Sequence, residues 1–243
     1  MKKTLLEMTQ NILSSMDSED VNSIGDSLEA LQVVDIIETV YFDIIATREI
    51  PEHRELLKLT ALSDSNYPTH FSYPTNLKEI VRLAYKDSDG YYREVTWCNP
   101  LDFLNRIDGV QSDYDQVSDK NGGTTLRITN DEMPSFYTSF DDKYVVLNAY
   151  ESTVEATLQE SKVRAFGTKY PTFDKNDDAF VPDLDASMLP YFLAEAKSMC
   201  QSLLKGGSDP KVEQSARRHK SFYQTALFHT KQANKWSNYG RGK

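Results

Sequence analysis

Leu28-Glu29-Ala30-Leu31-Gln32-Val33-Val34-Asp35-Ile36-Ile37 lies inside an apolar pattern that the chain sustains for about six helical turns. Ile24, Leu28, Leu31, Val34, Ile37, Val40, Tyr41, Ile44 and Ile45 recur largely at three- and four-residue steps, the spacing of one helix face. Glu29, Gln32, Glu38 and Asp43 take much of the remaining circumference, although Asp35 crowds the apolar side. Pro51 ends the helix, because proline lacks an N–H and clashes with the preceding turn. Upstream, Leu5, Leu6, Thr9, Ile12, Leu13 and Met16 predict a first amphipathic helix, closed by Asp17-Ser18-Glu19-Asp20.

Beyond Pro51 the period changes from 3.6 to 2, and short β-branched or alternating runs appear between clusters of turn residues. Leu56 to Ala61 reads as one strand. Glu79 to Tyr85 and Tyr91 to Trp97 bracket a glycine-containing loop and predict a hairpin. Asn99-Pro100-Leu101 opens a short helix, with Asn99 as N-cap and proline at the first helical position. Asp113 to Gly123 and Thr172 to Asp185 read as mobile loops, and Thr124–Ile128, Ser135–Phe140, Tyr144–Asn148 and Glu160–Tyr170 as further strands. Helical spacing returns from Ala186 through Leu203, breaks at Gly206-Gly207-Ser208-Asp209-Pro210, and resumes from Pro210 to about Trp236. The expected class is α+β: terminal α-helices packed as a bundle with an inserted antiparallel β region. Residues 1–50 and 186–236 would form the bundle, 51–185 the β-rich insertion, and 237–243 a flexible C-terminal tail.

A chain of 243 residues, 39% hydrophobic and 26% charged, has the composition of a soluble globular protein. Its size supports a sizeable core without staples. Cys98 and Cys200 lie far apart with no CxxC pair, so they read as buried thiols. Glu7, Gln10 and Asn11 interrupt any signal-like apolar run at the start, and nowhere do eighteen apolar residues follow one another. No membrane partner is expected. Charge is uneven: residues 211–243 hold eight basic side chains against Glu213, a net of +7, leaving −17 on residues 1–210 within a whole-chain charge of −10. Such a segment suits an acidic partner or nucleic acid, although a helix whose last turns favour cations would look similar.

Chemistry-bearing motifs do not emerge. Gly122-Gly123 and Gly206-Gly207 fit neither GxGxxG nor GxxxxGK[ST] and read as turns. His53, His70, His219 and His229 form no HExxH or His-x-His cluster, and solvated or partner-facing roles are expected for them. Asp174 to Asp185 imitates a calcium loop but has Ala179 where an EF-hand needs glycine and Asp185 where it needs glutamate. No GxSxG elbow accompanies the serines. No metal or organic cofactor and no enzymatic activity are expected; the alternative is a cell-wall-degrading hydrolase, cytoplasmic or virion-associated, whose carboxylate site is unrecognised, since such pairs are defined by spatial separation.

Val21-Asn22-Ser23-Ile24-Gly25-Asp26-Ser27 leading into the long helix, Pro68-Thr69-His70-Phe71-Ser72-Tyr73-Pro74 before the first hairpin, and the helical return at Leu189-Pro190-Tyr191-Phe192-Leu193-Ala194-Glu195-Ala196 resemble the head-to-tail adaptor family of short-tailed bacteriophages, the tail tubular protein A type. The likeness spans nearly the whole chain but rests on element order rather than an invariant motif. It implies a structural virion protein of the tail and neck, made in the host cytoplasm. It further implies a dodecameric ring joining the portal protein to the tail nozzle protein, with genomic DNA passing through its lumen without specific binding. On that reading portal docking falls to the basic, aromatic C-terminal segment: Arg217, Arg218, Lys220, Lys231, Lys235, Trp236, Tyr239, Arg241 and Lys243.

Overall fold

The computed structural model describes residues 2–47, 50–62, 64, 66–110, 113–120, 122–154, 156–207 and 210–236, with side chains for all of these except 51, 156–158, 223 and 225–236. The chain divides into two compact units, one made of residues 1–52 and 171–243, the other of 53–170.

Four helices build the first unit: α1 (Leu5–Ser15), α2 (Leu28–Thr47), α4 (Leu189–Leu204) and α5 (Pro210–Trp236). Thr4 starts α1 with a capping box, its hydroxyl accepting from the Glu7 N–H while the Glu7 carboxylate accepts from the Thr4 N–H. Leu5, Met8, Ile12 and Leu13 of α1 meet Val33, Ile37, Tyr41 and Ile45 of α2 and Phe192, Ala196 and Cys200 of α4 in one continuous core. The first turns of α2 depart from the expected stripe. Ile24 is buried in the link before the helix, and Leu28 and Leu31 are 74% and 45% exposed, because the buried face enters through Ala30 and Val33 instead.

Residues 172–185, expected as a mobile loop, are bound into this core. Phe180 stacks edge-on against Phe173, whose ring lies 5.4 Å from that of Tyr41. Leu5 N–H donates to the Phe180 carbonyl at 2.7 Å, and the Asp178 carboxylate accepts from the Ile24 N–H at 2.9 Å. The acidic composition hid two aromatic anchors.

The second unit contains β1 (Arg54–Leu57), β2 (Thr60–Ala61), β3 (His70–Ser72), β4 (Leu77–Lys86), β5 (Tyr92–Trp97), α3 (Pro100–Asp108), β6 (Tyr114–Ser118), β7 (Thr125–Asn130), β8 (Phe136–Thr138), β9 (Tyr144–Leu147), β10 (Ala149–Tyr150) and β11 (Val163–Lys169). An eight-stranded sheet runs β1-β11-β4-β5-β8-β9-β3-β2, and a smaller one runs β10-β7-β6. Lys58 and Leu59 alone separate β1 from β2, which end the larger sheet on opposite sides. Two residues span roughly 10 Å at most, so the sheet curls until its edges approach each other.

The expected architecture, a terminal helix bundle with an inserted antiparallel β region, is therefore corrected. The strands form a large curled sheet and a second sheet, both mixed: β5 pairs with β8 in parallel, as does β10 with β7. A fifth helix, α3, lies within the β unit. Parallel neighbours need a crossover, and α3 with β6 and β7 supplies the one between β5 and β8. Asp113 to Gly123, expected as a loop, contains β6, and the single expected strand at 56–61 is two strands with different partners.

Candidate docking surface on the helical unit

Pro210 stands at the first position of α5, where a missing N–H costs nothing, and Gly206 turns the chain before it with φ of 69°. Ala216 is 4% exposed, so α5 presses its small side against α4. A groove runs between the two helices, lined on the α4 side by Glu195, Ser198, Ser202 and Leu203 and on the α5 side by Glu213, Arg217 and Lys220.

Arg217, Arg218 and Lys220 are all exposed, but they do not act as one cluster. Arg217 and Lys220 stand three apart and share the groove face, while Arg218 points about 100° away. Arg217 is ion-paired with Glu213 one turn earlier. Lys231, Lys235 and Trp236 belong to α5, but their side chains lie outside those described, and Tyr239, Arg241 and Lys243 lie outside the described residues altogether. The expected flexible tail, 237–243, falls there too.

Charge reading missed the apolar part of this surface. Leu203 at the end of α4 is 61% exposed and Phe222 on α5 67%, while Leu28 and Leu31 stand on the neighbouring start of α2, where Glu29 and Lys205 pair at 3.6 Å. Exposed large apolar side chains beside cations are the ingredients of a protein-binding surface. Leu203 was legible as a helix residue, but its exposure depends on where α5 sits.

Two of the four histidines correct their expectation, while His219 is half-exposed and the His229 side chain lies outside those described. His53 and His70 are buried rather than solvated. His70 lies with Nδ1 3.3 Å from the Thr69 hydroxyl and Nε2 3.5 Å from the Asp119 carboxylate. Burial holds its imidazole below the usual histidine range, against the pull of Asp119. Thr69 and His70 are buried while Asp119 is partly exposed, so the imidazole of this trio is closed off from solvent. Cys200 is equally inert: burial pushes its thiol up to about 12.

Among the described residues no three His, Cys, Asp or Glu side chains converge as a metal site requires, and no helix is long and apolar enough to cross a membrane. No family model and no curated protein matches the sequence.

Proposed function

We propose that this chain is a structural adaptor of a short-tailed bacteriophage, a ring-forming virion protein that joins the portal to the tail nozzle without performing catalysis. The observation that carries the reading is the α4–α5 surface, where Arg217 and Lys220 flank exposed Leu203 on a chain otherwise acidic. An adaptor needs this combination, since apolar anchors give affinity and flanking charge steers and orients docking. A ring of identical copies also needs two different faces on each subunit, and the exposed leucines at the start of α2 offer an apolar patch for such contacts.

Mass measurement of the full chain with and without purified portal, together with negative-stain images of the mixture, tests the reading. A ring-sized assembly on the portal is the expected result. Neutralising Arg217, Arg218 and Lys220 should flatten the salt dependence of that association, and removing 237–243 should weaken it while leaving the melting temperature unchanged. A strict monomer indifferent to portal would overturn the proposal.

A further inference from the structure

The larger sheet parts in its middle. Arg82 faces Phe166 while Ile80 faces Gly167, so Val81 is an extra residue; Glu79 faces Thr168 while Leu77 faces Lys169, so Lys78 is another. Two bulges this close bend β4 and raise its twist. Gly167 permits the approach, because a Cβ there would lie 2.2 Å from the Glu79 carbonyl oxygen. β4 consequently pairs with β5 only over Leu83–Lys86, and Thr96 and Trp97 at the end of β5 pair with β8 instead. A cleft of about 610 Å³ opens between the diverging strands, a volume typical of small-ligand sites.

Three aromatic side chains line it. Trp97 is 57% exposed, an indole that packing alone does not explain, and its register partner Tyr137 stands beside it on β8. Tyr137 is only 5% exposed, with its phenol hydroxyl on a residue that lines the cleft. Burial, with Tyr73 nearby as the second cause, pushes that hydroxyl up to about 12, so it stays a neutral donor. Asn76, Glu79 and Asp142 add an amide and two carboxylates to the lining.

Flat apolar rings beside acceptors and a neutral phenol fit a polyol, whose C–H faces stack while its hydroxyls donate to carboxylates. Lys78 also lines the cleft, its ammonium 5.9 Å from the Tyr170 ring centre, but two carboxylates against one cation disfavour phosphate and nucleic acid. An added peptide strand is disfavoured as well, since the bulges and the charges of Lys78 and Glu79 break the ladder that it would extend. We infer that the cleft between β4 and β5 binds a neutral oligosaccharide, with Trp97 as its stacking platform. This site is independent of the adaptor reading, because it needs no portal and lies wholly within the β unit.

The test uses the full chain carrying Trp236→Phe, which leaves Trp97 as its one indole. Neutral tri- to pentasaccharides built from glucose, galactose, mannose, rhamnose and N-acetylglucosamine are titrated while its emission is followed. At least one should shift the emission saturably, with a Kd of about 1 mM or tighter. By calorimetry Trp97→Ala should weaken that binding at least tenfold, and Trp97→Tyr should keep most of it, with thermal melts of both unchanged because the side chain is exposed. The inference is overturned if no saccharide binds, if Trp97→Ala binds as well as its parent, or if an arginine-rich peptide saturates the cleft in their place.

Discussion

The helical unit gathers its buried side chains into one core, whereas the β unit divides its own between two smaller ones. In the first, α1, α2, α4 and the segment 172–185 converge, and aromatic contact runs continuously from Phe180 through Phe173 to Tyr41 and Phe192. In the second, one core lies along the large sheet, and the other wedges α3 against β7 and β8, with Phe103 between Phe136 and Phe140. The difference teaches where each unit is vulnerable: a shared core propagates a defect, and a divided one contains it.

Truncation tests this most severely. Phe192→Ala should cost about 4–5 kcal/mol, because its cavity is walled by three elements that cannot all relax. Phe103→Ala should cost about 3 kcal/mol, since its neighbour Phe140 is 36% exposed and free to move inward. Urea unfolding of both variants checks the pair, and an equal cost would break the contrast.

Gly167→Ala comes next, at about 2–3 kcal/mol, because the new methyl meets both the Glu79 carbonyl and the Leu57 side chain. Hydrogen exchange should locate the loss along β4 and β11, and a variant as stable as its parent would mean that the bulges do not depend on this contact. Thr4→Ala removes half of a capping box and should cost about 1 kcal/mol, felt as faster exchange in the first turn of α1.

The smallest expected effect is one of pH. Unfolded His70 takes up a proton near pH 6.5, while the buried ring, its pKa lowered chiefly by desolvation, resists it. Its contribution is therefore complete above about pH 6.5 and is lost as pH falls toward the lowered folded value. Asp119 and Asp141 oppose the shift and Lys120 adds to it. Comparing urea midpoints at pH 7.5 and 5.5 should show a shallower acid loss in His70→Gln, and an unchanged slope would assign the loss to other groups.

What could be read from sequence followed the same division. Helices α1, α2 and α4, the β4–β5 hairpin and the Asn99-capped helix α3 all rest on contacts between near neighbours, which leave a period or a turn signal. Strand β6 left none, because Val117 is its one buried side chain and the rest of its surroundings are polar. The parallel pairing of Trp97 with Tyr137 joins residues forty apart and has no local mark, so both the mixed sheet and its cleft were invisible. On the helical unit, the +7 of the last segment was legible, but which cations share a groove was not. That depends on the turn through Gly206, which sets the face of α5 opposite Ser198 and Ser202.

The helical unit is assembled from both sides of an interruption, and this has a consequence during synthesis. Helix α2 leaves the ribosome roughly 140 residues before α4 does, an interval on the order of 10–30 s at common translation rates. Throughout it, Val33, Ile37, Tyr41 and Ile44 have α1 for company but neither Phe173 nor Phe192 to cover them, while all strands of the β unit emerge and can pair. On the nascent chain the β unit should therefore complete its core before the helical unit does. Stalled chains ending near residue 170 should expose an apolar α2 to holding chaperones, and chains extended past residue 204 should release them.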